Sequence, residues 1–275
     1  MLKSNILSNR KGYSEYKHCL IWNEQSNKEI KLSSTEIKML LKDNSAWMLR
    51  NIYDWDCQTE TNFWEIINDK HREIEELPSK TRNQIRRSLK DCDIRKISGK
   101  ELIESDGYKV YFEAFKRYRN IVSNPVSREI WEKGINQESN HDYWGVFIKD
   151  TDNLIAWGHN TILGESINYN TLKAIPEFMN KHYPYFGLLF TMNNYYLNEK
   201  GYKYVSDGFR SITEHSNIQP FLEKNFLFRK AYCRMNLVYK SWFGLIIKTL
   251  YPFRNSIKIP QIKSILKFEE IRRDF

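Results

Sequence analysis

Residues 183–208 read YPYFGLLFTMNNYYLNEKGYKYVSDG. An apolar run with helical spacing begins beside Gly187 and ends before Gly201, and a short strand follows that stops in Ser206-Asp207-Gly208. Leu188, Leu189, Met192, Tyr195 and Tyr196 share one side of that run, which predicts a core helix feeding a strand. Upstream, YWGVFIKDTDNLIAWGHNTILGESINYNTLKAI (143–175) predicts three strands in a meander, with turns at Asp150–Asn153 and Gly164–Ser166. Downstream, NIQPFLEKNF (217–226) predicts a helix and FRKAYCRMNLVY (228–239) one long final strand.

Further toward the N-terminus, CDIRKIS (92–98) reads as a strand and SREIWEKGIN (127–136) as a short helix. Between them ELIESDGYKVYFEAFKRYR (101–119) predicts a helix with Tyr108, Tyr111, Phe112, Phe115 and Tyr118 on one face. Residues 92–240 therefore run β-α-α-β-β-β-α-β-α-β, an α/β order with a mixed sheet. LPSKTRNQIRRSLKDC (77–92) predicts a helix starting near Pro78 and Ser79, with Ile85 and Leu89 on a narrow seam and Arg82, Arg86 and Lys90 in a basic stripe. Strands are expected in KHCLIWNE (17–24) and SAWMLRNIYDWD (45–56), with a helix over SSTEIKMLLKD (33–43) between them. TNFWEII (61–67) reads as either a strand or a short helix.

Composition narrows the class. At 275 residues and 41% hydrophobic, the chain is long enough for one large domain or two small ones. Eleven Gly and seven Pro exclude collagen-like and low-complexity sequence. The N-terminal twenty residues lack the continuous apolar stretch of a secretory signal, and Cys19, Cys57, Cys92 and Cys233 form no CxxC pair; both point to a cytoplasmic setting. The net charge of +9 is concentrated: residues 80–100 carry +6 and residues 240–275 carry +5. That pattern argues for local anionic contacts, not for a protein that coats nucleic acid.

SKTRNQIRRSLKDCDIRKIS (79–98), DNLIAWGHNTIL (152–163), LNEKGYKYVSDG (197–208) and FLEKNFLFRKAY (221–232) resemble segments of the acyl-CoA N-acyltransferase (GNAT-like) superfamily, above all its Fem-type branch of aminoacyl transferases. The resemblance covers roughly residues 78–240. It implies a GNAT-like domain over 78–240, an N-terminal extension or reduced first repeat over 1–77, and a basic amphipathic tail over 241–275. It also implies that two neighbouring strands diverge to admit an acyl donor, whose pyrophosphate rests on the start of the next helix. The matching loop here is PYFGLL (184–189), so Tyr185, Phe186, Gly187 and Leu188 are the expected cradle for acyl-CoA. Pro184 stands where that pattern has a basic residue or Gln, and Leu189 where it has a second small residue. The plainer reading of Gly187 is a packing position at the start of a core helix.

Amine acylation needs a group to take the ammonium proton, and Asp207, Glu214 and His215 in VSDGFRSITEH are the candidates. The plainer reading makes Asp207-Gly208 a turn and the other two loop residues. Arg82, Arg86 and Arg87 are candidate phosphate ligands, for acyl-CoA or a transfer RNA acceptor arm; the alternative is a solvated face. His159 reads as a hydrogen-bonded strand residue, His141 and His182 as loop residues, and no histidine pair has metal-ligand spacing, so no metal is expected. In the tail, Trp242–Ile247 is too short to span a bilayer but suits an interfacial contact, with Lys248 and Arg254 at headgroup level; packing on the N-terminal segment is the alternative. The expected activity is acyl transfer to an amine on a sugar, peptide or cell-envelope precursor. Two alternatives stand beside it: aminoacyl transfer from charged tRNA, and a non-catalytic module that binds nucleic acid or a membrane.

Overall fold

The computed structural model describes residues 12–22, 25–28, 31–117, 124–135, 140–210, 212 and 218–274. Strands β1 (Tyr13–Tyr16) and β2 (Cys19–Trp22) are followed by helix α1 (Ser34–Asp43), β3 (Met48–Tyr53) and β4 (Trp64–Asn68). Helix α2 (Ser79–Asp91) runs directly into β5 (Cys92–Ile97), and α3 (Gly99–Glu104), α4 (Gly107–Ala114) and α5 (Arg128–Lys133) come next. The meander is β6 (His141–Ile148), β7 (Asn153–Leu163) and β8 (Ser166–Ala174). Helix α6 (Pro184–Asn193) continues as a π-helical turn over Asn194–Glu199, before β9 (Tyr204–Phe209) and α7 (Ile218–Phe226). Strands β10 (Arg229–Tyr232) and β11 (Arg234–Tyr239) precede α8 (Ser241–Leu250) and α9 (Pro260–Arg273).

These elements form two compact units. The larger is built on Ile66–Gly208 and Ser216–Arg229, the smaller on Ser4–Glu65, Phe209–His215 and Lys230–Phe275. The divisions therefore fall within β4, β9 and β10, whereas the sequence suggested 77/78 and 240/241. One sheet has the order β10-β4-β9-β8-β7-β6-β5 and the other the order β1-β2-β3-β11. The single strand expected over 228–239 is two strands in different sheets. The break is at Cys233, whose N–H donates to Phe63 O at 3.1 Å and whose carbonyl accepts from Thr61 Oγ1 at 2.8 Å.

In the smaller unit, β3 pairs in parallel with β2 and antiparallel with β11. One face buries Leu20 and Leu49 with Leu40 and Leu41 of α1, which starts at a Ser33–Glu36 capping box. Met48, Met235 and Leu237 pack instead with Phe243 and Ile247 of α8 and Leu266 and Ile271 of α9. The 241–275 segment is thus a structural part of this unit, as the packing alternative held. Trp242, Leu245 and Ile246 remain outside at 42–67% exposure.

In the larger unit, alternate residues of β7 face opposite layers. Trp157 donates from Nε1 to Gly107 O at 3.0 Å and packs with Trp131, Val110 and Leu102 of the α3–α5 layer. Gly158 instead abuts Leu188 and Met192 of α6. The helix expected over 101–119 is broken at Asp106, which adopts a left-handed conformation (φ 60°), because Gly107 must approach Leu102. Phe112 is exposed, and Tyr118 lies outside the described residues. Tyr196 is fully buried, while Tyr195 is half-exposed, since the π-helical turn rotates it away from the core face.

Gly187 is fixed by packing. A Cβ there would run into Ser88 Oγ of α2 and Ile94 of β5, and would lie 2.9 Å from Ser88 Cβ. The close approach of α2 and α6 is possible only without a side chain at this position. Gly187→Ala should therefore destabilise the protein by about 1–3 kcal/mol in a urea melt, with part of the loss recovered on adding Ser88→Ala. Undiminished stability of Gly187→Ala would show that the contact is looser than described.

Candidate active site

Strands β8 and β9 run parallel but pair only at Ser166–Tyr204, Ile167–Val205 and Asn168–Ser206. Beyond those pairs each strand has a local reason to leave its neighbour. On β9, Gly208 adopts φ +85°, and its N–H donates to Ser206 Oγ at 2.8 Å, so it does not serve the β8 ladder. On β8, Tyr169 pairs with Asn160 and Thr171 with His159, which leaves Asn170 as the extra residue of a bulge. Asn170 accepts on Oδ1 from Asn168 Nδ2 at 2.6 Å and also bonds Thr161 Oγ1. The result is a notch between two parallel strands beyond Asn168 and Ser206, where no ladder pair joins them.

Asp207 is the residue after the last pair, at the mouth of this notch. Val205 and Asp207 share a face of β9, and the Asp207 carboxylate meets Gln219 in the first turn of α7. Gln219 Nε2 also donates to Gly208 O at 3.4 Å. Burial pushes the Asp207 carboxyl up to about 7, against the smaller opposite effect of the Gln219 hydrogen bond. Near neutral pH such a group can accept or release a proton with little penalty.

The start of α6 adjoins this mouth, since Phe186 packs edge-on against Phe221 of α7 with ring centroids 5.1 Å apart. Tyr183 takes a left-handed conformation and Pro184 occupies the first helical position without an N–H. The Phe186 N–H turns back to Tyr183 O at 2.9 Å, Tyr185 OH donates to Leu172 O at 3.3 Å, and Leu188 is fully buried. With Gly187 closed off by α2, this helix start offers fewer open donors than the expected cradle, and its glycine serves helix packing. Of the candidate bases, Glu214 and His215 lie outside the described residues.

The α2 arginines are engaged within the chain. Arg82 donates to Glu75 O at 2.9 Å, Arg86 pairs with Glu75 Oε1 at 3.2 Å, and Arg87 donates to Asp91 Oδ2 at 2.6 Å. Buried His182 also bonds Asp91, at 3.0 Å; burial opposes ionisation there, but His182 and Arg87 hold the carboxylate below its usual range. His141 opens β6, contrary to its expected loop position, and its Nδ1 lies 2.8 Å from His159 Nε2. Burial first, and His141 second, depress His159 to about 4, so this strand histidine stays neutral.

Beneath α6 lies a buried polar cluster absent from the sequence reading. Tyr196 OH donates to Asp142 Oδ2 at 2.9 Å and accepts from Trp144 Nε1 at 2.9 Å and Asn160 Nδ2 at 3.1 Å. Lys96 Nζ meets Asp142 Oδ1 at 2.6 Å; burial works against its charge, but the Asp142 contact raises its pKa. The readable signal was a polar residue on a predicted core strand, Asn160; Asp142 lies one residue before the meander as the sequence delimits it. Likewise SINYNTL places two asparagines, Asn168 and Asn170, on a strand that disfavours them.

No family model matches this chain, and no curated protein matches it. Solved structures do. L-PGS from Bacillus licheniformis aligns with a TM-score of 0.53 at 11% identity, over 95% of this chain and 85% of that one. FemX aligns with a TM-score of 0.50 at 11% identity, over 75% of this chain and 73% of that one. The fold is thus like that of FemX and L-PGS, an α/β fold with mixed sheets, as the GNAT-like, Fem-type resemblance of the sequence implied. Among the described residues, no helix is long and apolar enough to cross a membrane.

The Asp207 shift has a stability consequence. The folded state favours the neutral carboxyl, whereas the unfolded chain ionises near an ordinary value of about 4. Stability is therefore fully present below that value and declines as pH rises toward about 7. Between pH 5 and 7.5 the melting temperature of the parent should fall relative to Asp207→Asn. Parallel curves would mean that the carboxyl is not perturbed by the fold.

Proposed function

We propose that this chain is an N-acyltransferase that moves an acyl group from a thioester donor, acyl-CoA, to an amine. The observation that carries the reading is the unpaired notch between β8 and β9, with the burial-tuned Asp207 carboxyl at its mouth. Backbone groups freed by the divergence can hold an acyl carbonyl in line with the strands. Asp207 takes the ammonium proton, the amine nitrogen bonds to the acyl carbon, and the carbon–sulfur bond breaks, the sulfur taking the second amine proton as it leaves as the thiol. Gln219 orients the carboxylate from α7. The acceptor class that suits this chemistry is an amine on a sugar, peptide or cell-envelope precursor.

The second reading keeps the same acceptor chemistry but takes the acyl group from an aminoacyl-tRNA ester. It is favoured by the start of α6, where Pro184 has no N–H, the Phe186 N–H is used internally and Gly187 is packed against α2. Such a helix start is a poor seat for a pyrophosphate. Titration with acetyl-CoA against charged tRNA separates the two donors. For either donor, Asp207→Asn should lower turnover by about 100- to 10,000-fold while leaving the fold intact. The acidic limb in the parent pH–rate profile should lie near the Asp207 pKa of about 7. Near-parent turnover in the variant would remove Asp207 from the mechanism.

The proposal extends to where the acceptor is met. Trp242, Leu245 and Ile246 project from α8 beside Lys240 and Lys248, which suits an anionic membrane surface. The parent should co-sediment with vesicles rich in phosphatidylglycerol, and Trp242→Glu with Leu245→Glu should abolish this. Equal sedimentation of both proteins would assign α8 a purely structural role.

A further inference from the structure

The smaller unit contains an open cleft at the end of β2, where β3 continues past its partner. Its walls include Trp22, Ser26, Lys28, Arg50, Asn51 and Phe209. Among the described residues, two of its lining side chains are cations and none is a carboxylate.

Arg50 is the anomaly. It lies on β3, an interior strand of its sheet, and is half-buried. Among the described residues its guanidinium has no hydrogen-bond acceptor and no carboxylate within ion-pair distance, and Nε is sealed from solvent without a partner. Burial depresses its pKa, and the nearby Cys19 and Cys233 compensate only in part. The rings of Phe268 and Phe209, 5.3 and 6.0 Å from the guanidinium carbon, offer some attraction but no hydrogen bond. A charge desolvated in this way is costly unless something supplies the opposite charge.

The surrounding groups point the same way. Gln25, one residue before Ser26, is buried at 3% exposure, and its Nε2 likewise lacks a partner among the described residues. Asn51 already accepts from Tyr13 OH at 2.6 Å on Oδ1, which leaves its Nδ2 as a donor. Lys28 adds a second positive charge at the rim. Among the described residues, what this wall lacks is an acceptor bearing negative charge.

We infer that the cleft beside Arg50 binds an oxyanion, a phosphoryl or carboxylate group, with the guanidinium as its principal ligand and Lys28 as a second. A guanidinium fork matches either group with two parallel hydrogen bonds. This site is separate from the β8–β9 notch and does not depend on the acyltransferase reading.

The test is the melting temperature of the full chain in sodium pyrophosphate, sodium acetate and sodium chloride at matched ionic strength. The parent should melt about 2–4 °C higher in pyrophosphate or acetate than in chloride at saturating concentration. A rise in pyrophosphate alone identifies a phosphoryl group, and a rise in acetate alone a carboxylate. Arg50→Met should abolish the rise, and Lys28→Gln, at an exposed position, should at least halve it. The absence of any rise in the parent, or the same rise in Lys28→Gln as in the parent, would overturn the assignment. The Lys28 variant decides the matter even if Arg50→Met does not fold.

Discussion

Everything proposed for the larger unit depends on one interruption of hydrogen bonding: β8 and β9 stop pairing after Asn168 and Ser206. In a continuous parallel sheet the backbone beyond those residues would be satisfied and the Asp207 carboxyl would lie over a closed surface. Two local devices prevent this. The bulge at Asn170 bends β8, and the Gly208 N–H is captured by Ser206 of its own strand. Both act at the backbone, so the opening belongs to the fold itself.

An opening within a sheet must be held rigid from the sides. The α2–α6 contact at Gly187 fixes one helix against another, and Ile94 of β5 ties the pair to the sheet. Below α6, Tyr196 draws together Asp142, Trp144 and Asn160 from β6 and β7, and Lys96 of β5 neutralises Asp142. A buried carboxylate with an ammonium and a phenol on its two oxygens keeps its hydrogen-bonding capacity filled. The π-helical turn rotates Tyr195 toward solvent while Tyr196 stays buried in this cluster.

Much of this was legible in the residues. The meander, α6, β9 and α7 follow from hydrophobic period and turn residues, and Asp150, Asp152 and Gly164 do take the left-handed conformations their turns demand. Asp207 was readable as a candidate base, but its elevated pKa was not, because burial by α7 is a tertiary effect. Gly187 was misleading for the opposite reason. A glycine at a helix start suits both an anion and a close-packed neighbour, and only the position of Ser88 distinguishes them. The break at Cys233 was hidden because buried Cys233, Met235 and Leu237 keep the strand period across it. Arg50 carried no sequence signal at all: one arginine in SAWMLRNIYDWD looks like an ordinary outward residue of a half-exposed strand.

The central claim is that the fold sets the Asp207 carboxyl apart as a proton acceptor near neutrality. Carbon-13 labelling of aspartate side chains, with Asp207→Asn to assign the resonance, measures this directly by a pH titration of the carboxyl shift. The account predicts a midpoint near 7, well separated from the ordinary aspartates. A midpoint near 4 would mean that the notch leaves Asp207 as an ordinary surface carboxylate, and the assignment of the active site would fall with it.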